Sequence, residues 1–102
     1  MSALLEDAKT ALLEDAKTAL RITTDAYDGE IELLIAAAKQ DLGLAGVVVP
    51  IALDPIAKRA IITFVKLNFG EPDQYDRLKA SYDEQKAQLS MASGYTLWTD
   101  QM

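Results

Sequence analysis

The chain has 102 residues, with no cysteine and no histidine, which excludes a disulfide framework, thiolate metal sites, and the commonest general base and metal ligand. Half the residues are hydrophobic and the net charge is −6, with ten lysines and arginines scattered among sixteen acids. That composition suits a single domain with one modest core, and it lacks the clustered cations of a generic phosphate binder.

Residues 1–20 read as a helix built on a verbatim repeat. ALLEDAKT at residues 3–10 recurs at residues 11–18. Leu4, Ala8, Leu12, Ala16 and Leu20 recur every four residues, with Leu5 and Leu13 beside them. Glu6–Lys9 and Glu14–Lys17 are spaced as surface ion pairs. Eight helical residues turn through about 800°, so the second copy sits about 80° round from the first. Two copies are too few for a solenoid. The repeat therefore reads as a lengthened helix, with the second copy on the core and the first protruding.

RITTDAYDG at residues 21–29 is a turn in which Thr24, Asp25 and Asp28 are each candidate N-caps. Asp25, Asp28, Glu30 and Glu32 lack the spacing of a calcium loop and suit a helix N-terminus instead. The next helix is expected over residues 25–43. Its core stripe is Ile31, Leu34, Ile35, Ala38 and Leu42. Glu32, Lys39, Gln40 and Asp41 point outward. Gly43 is expected to stop it, with Leu44 folding back on the last turn.

Residues 44–53 form an apolar connection that β-branched residues and a proline make extended. Side chains alternate along an extended chain, so Val47, Val48, Val49, Pro50 and Ile51 cannot all face inward. They either cap their own core or meet a neighbouring subunit.

Residues 54–68 carry the central helix, with Asp54 as N-cap, Pro55 at the first turn and Gly70 as the exit. Ile56, Ala57, Ala60, Ile61, Ile62, Phe64, Val65 and Leu67 cover most of its circumference. Only Lys58, Arg59, Thr63 and Lys66 seek water. Such a helix must be covered on several sides, and Ile61, Phe64 and Val65 are its core candidates.

The last helix, residues 73–91, has a weak face of Tyr75, Leu78, Tyr82 and Leu89 interrupted by Gln85, as expected at a bundle edge or beside a partner. The tail, residues 92–102, carries Gly94, Tyr95, Leu97 and Trp98. Aromatic residues so near a terminus dock on the parent domain or anchor a partner. Tyr95 favours the first role and Trp98 the second. The fold class is thus all-α: about four helices around a central one.

There is no phosphate-binding glycine loop, no metal-ligand spacing and no activated nucleophile. The expectation is a non-enzyme without cofactor or metal, soluble and intracellular when made, with no membrane-spanning run and no signal peptide.

The segments LRIT, TDAYDGEIELLIAAAKQDL, DPIAKRAIITFVKLNFGEPD and YDRLKASYDEQKAQLSMASGYTLW resemble the head–tail connector proteins of tailed bacteriophages. These are also called adaptor or head-completion proteins and are linked with DNA packaging. The resemblance covers residues 12–98 and leaves the first repeat copy outside. It implies a structural virion protein at the neck, assembled in the host cytoplasm. Roughly twelve copies would form a closed ring beneath the portal. The ring would extend the DNA channel, let DNA pass without specific binding, and offer a seat for the next head-completion or tail protein. Carried onto this chain, the portal-binding element is Gly94, Tyr95, Leu97 and Trp98. Val47, Val48, Val49, Pro50 and Ile51 are the candidate subunit contacts. A nucleic-acid-binding packaging factor and an unrelated helical interaction module are the competing readings.

Overall fold

A computed structural model describes residues 2–47 and 55–91, with side chains from Thr10 onward in the first helix. It is all-helical among these residues: α1 (Ser2–Leu20), α2 (Asp28–Leu44), α3 (Pro55–Asn68) and α4 (Tyr75–Met91). The α3 helix packs against each of the other three, and α1 also touches α2. This is the arrangement expected from α3's broad apolar surface.

The core joins Leu12, Leu13 and Ala16 of α1, Ile31, Ile35, Ala38 and Leu42 of α2, Ala60, Ile61, Val65 and Leu67 of α3, and Tyr82 and Leu89 of α4. Leu34 and Phe64, expected inside, pack on its margin. Each large buried aliphatic chain contributes about 1.5–3 kcal/mol, and Ile31, Leu42, Ile61, Val65 and Leu89 are the largest fully enclosed ones. Two expectations for α3 are corrected. Ile56 is 61% exposed while Ala57 beside it is wholly enclosed, so Ile56 lies on the open side of the first turn. Thr63 is buried, and it manages this because its hydroxyl donates to the Arg59 carbonyl at 2.9 Å.

The helix ends show which residues control the chain path. The α2 helix runs through Gly43 and ends one residue later. The stop is Gly46, at φ 90°. The Gly46 N–H donates to the Gly43 carbonyl at 3.0 Å and the Val47 N–H to the Leu42 carbonyl at 2.9 Å. This is a Schellman turn, and the apolar contact it uses is Val47 with Leu42, both enclosed. Leu44, expected to fold back, is 82% exposed; Val47 fills that role. The same turn ends α1. The Arg21 N–H donates to the Thr18 carbonyl and the Ile22 N–H to the Lys17 carbonyl, with Arg21 at φ 61°. An arginine there is strained in a way a glycine would not be. Gly70, at φ 65°, takes the chain out of α3 as expected.

At the start of α2 none of the three expected caps is used. The capping position is Tyr27, with no side-chain hydrogen bond. Thr24 instead accepts the Ala26 N–H at 3.2 Å inside the turn. The Tyr27 ring meets Phe69 edge-on at 5.6 Å, fastening this turn to the end of α3. The expected cap Asp54 lies outside the described residues.

Candidate functional site

Two polar tethers hold the helices in place, and both use residues assigned to the surface by sequence. Lys17 is 5% exposed. Its ammonium does not serve Glu14 three residues back. It reaches Asp25 and Asp28, each at 2.9 Å. The hydrogen bond to Asp25, then that to Asp28, raises the Lys17 pKa well above the ordinary lysine value. Two of the four acids that could have suggested a calcium loop, Asp25 and Asp28, are therefore counterions of α1. Among the described residues no cluster of three or more potential ligands could hold a metal.

The second tether crosses from α2 to α4. The Tyr82 hydroxyl donates to Asp41 Oδ2 at 2.5 Å, and Lys86 Nζ donates to the same oxygen at 3.1 Å. Lys86 also stands 5.3 Å from the centre of the Tyr82 ring, whose edge meets Phe64 at 5.2 Å. Asp41 is therefore half-buried and engaged, not outward as its position in the sequence suggests. The Tyr82 bond, then Lys86, holds its carboxyl below the usual range. Burial, then the Asp41 contact, pushes the Tyr82 phenol up. These shifts come from structural ties between helices.

Of the expected interface residues, Val47 is enclosed in its own core. Val48, Val49, Pro50 and Ile51 lie outside the described residues, as do Gly94, Tyr95, Leu97 and Trp98. What the described surface offers is exposed apolar side chains, Leu33 at 69% and Leu44 at 82% on the outer side of α2 and Met91 at the end of α4. It also offers one concentration of positive charge. A groove of about 480 Å³ lies between α3 and α4, lined by Lys58, Arg59, Lys66 and Arg77 over Ile62 and Leu78. Lys58 is shared with Asp15 of α1 at 2.8 Å. Sequence spacing carries part of the signal for this groove. Residues 58, 59, 62 and 66 share one face of a helix. Each cation reads as a solvated position of a buried helix, so spacing alone does not mark them as a group. No helix among the described residues is long and apolar enough to cross a membrane.

A helical bundle held by a central apolar helix and structural ion pairs leaves large apolar side chains exposed among the described residues, a feature of surfaces that meet other proteins. A family model described as phage connector protein matches residues 12–96. The match takes in the second half of α1 and all of α2, α3 and α4; it starts inside the second repeat copy and leaves the first copy outside. A search of curated proteins returned no match, and neither did a search of solved structures. The chain belongs to the phage head–tail connector family.

Proposed function

We propose that the protein is a ring-forming adaptor between the capsid portal and the tail or next head-completion protein, one that continues the channel through which DNA passes. The family match over residues 12–96 carries this reading. The make-up of the surface supports it: large apolar side chains stand exposed on α2 and α4, and the acidic balance discourages adhesion to passing DNA. In a closed ring of about twelve copies, one patch of each subunit meets a different patch of the next. With Val47 used in the core, the subunit contact in the connection falls to Val48, Val49, Pro50 and Ile51. The portal-binding element is Gly94, Tyr95, Leu97 and Trp98.

Removal of residues 95–102 tests the portal assignment. The helical content should be unchanged while binding to portal-bearing capsids disappears; retained binding refutes it. The competing reading is a duplex-binding packaging factor, for which the cations of the α3–α4 groove would be the contact. A low-salt titration with duplex DNA separates the two, and tight binding would overturn the adaptor reading.

A further inference from the structure

The α3–α4 groove is chemically unlike the rest of this acidic chain. Four of the ten cationic residues line it and no acid does; Lys58 is paired with Asp15 of α1, and no ion pair among the described residues engages Arg59, Lys66 or Arg77. Its lining is apolar where Ala19, Pro55, Ile62 and Leu78 contribute. Beside them Gln85 brings a side-chain oxygen that is buried without a hydrogen-bond partner among the described residues. A buried acceptor of this kind calls for a donor. The groove therefore suits an occupant with aromatic or aliphatic bulk, an N–H or O–H donor, and negative rather than positive charge.

The chain itself contains such a segment. Residues 95–100 read Tyr-Thr-Leu-Trp-Thr-Asp, with two large aromatic side chains, an indole N–H, a phenol, one acid and no cation. The distances also suit. Gln85 and Leu78 lie about 9 and 20 Å back along α4 from Met91, at 1.5 Å per residue. A chain that reverses directly after Met91 covers about 23 Å by residue 98, at 3.3 Å per residue. We propose that the groove between α3 and α4 is the seat of the chain's own C-terminal segment in the free subunit. Tyr95 and Trp98 lie over Ile62 and Leu78, Asp100 lies among the arginines and lysines, and an aromatic donor serves Gln85. The portal then has to draw the segment out of this seat. The seat concerns the isolated chain, so it stands or falls separately from the adaptor reading, which the capsid-binding assay tests.

Trp98 is the only tryptophan, so its fluorescence reports on this segment alone. In the full-length chain its emission should be shifted to the blue of a free indole amide and shielded from acrylamide, equally at all protein concentrations. The double variant Arg59→Glu/Arg77→Glu reverses two exposed groove charges. It should keep the helical circular dichroism and lose both the blue shift and the shielding. The neutral pair Arg59→Gln/Arg77→Gln should lose part of each, and added salt should do the same in the unmodified protein. Emission and quenching equal to the free amide in the unmodified protein would overturn the proposal. So would shielding that survives charge reversal, or shielding that grows with protein concentration, which would place the segment on a second copy.

Discussion

At the scale of single residues, the chain spends its polar groups on holding helices together, and the consequences are measurable. Arg21 occupies a left-handed position that glycine adopts without a Cβ penalty. Arg21→Gly should therefore stabilise the fold by about 0.5–1 kcal/mol, seen as a higher urea midpoint. Tyr82→Phe removes the donor to Asp41 and leaves Lys86 as its partner. Because Asp41 is partly solvated, the loss should be about 1–2 kcal/mol, near the lower end for a charged hydrogen bond. The pH dependence has a definite sign. The phenol's pKa is raised on folding, so its contribution is full below the ordinary value of 10.0 and fades as pH rises beyond it. The Asp41 carboxyl is lowered, so its contribution is present above the ordinary 3.8 and fades as pH falls below it. Urea titrations at pH 8 to 11 should show a loss of stability that is smaller in Tyr82→Phe, the remainder coming from Lys17, whose pKa is also raised on folding.

At the scale of elements, α3 decides whether the protein folds. Ile61→Ala should cost about 2–5 kcal/mol, because the side chain is wholly enclosed. Ile61→Asp should leave the chain unfolded or molten. Ile56→Ala, five residues earlier and 61% exposed, should be nearly neutral in the same denaturation assay. Lys17 gives α1 a separate dependence. Lys17→Glu sets a third acid beside Asp25 and Asp28, so hydrogen exchange should speed up in α1 while the α3 amides stay protected. These contrasts also show what could be read from sequence. Periodicity placed the four helices and most of the buried stripe, because apolar spacing reports directly on which face avoids water. It misplaced Lys17, Asp41 and Thr63, because it treats every polar side chain as solvated. A lysine buried against two aspartates looks the same in sequence as one in water. The end of α2 was misread for a related reason. Gly43 and Gly46 are both plausible stops, and the choice between them rests on Val47 finding Leu42, a contact that spacing does not reveal.

At the scale of the whole molecule, the described core closes on itself, while apolar side chains of α2 and α4 and a cationic groove remain at the surface. Under the proposed adaptor role, such a subunit folds alone and assembles through modest contacts that become strong only when repeated around a ring. The free protein should then run as a monomer or weak oligomer at micromolar concentration. It should form a closed assembly on portal-bearing capsids, as followed by analytical ultracentrifugation with and without the capsids. The first repeat copy lies outside the family match. Removing residues 3–10 regenerates the same junction with one copy and should leave that assembly intact.

The most direct measurement is an image of the assembled particle neck at a resolution that locates this chain. The account predicts a closed ring of copies directly beneath the portal, open at its centre for DNA, with the C-terminal segment of each copy against the portal. Isolated copies lying along the DNA, or a neck that lacks the chain altogether, would contradict it.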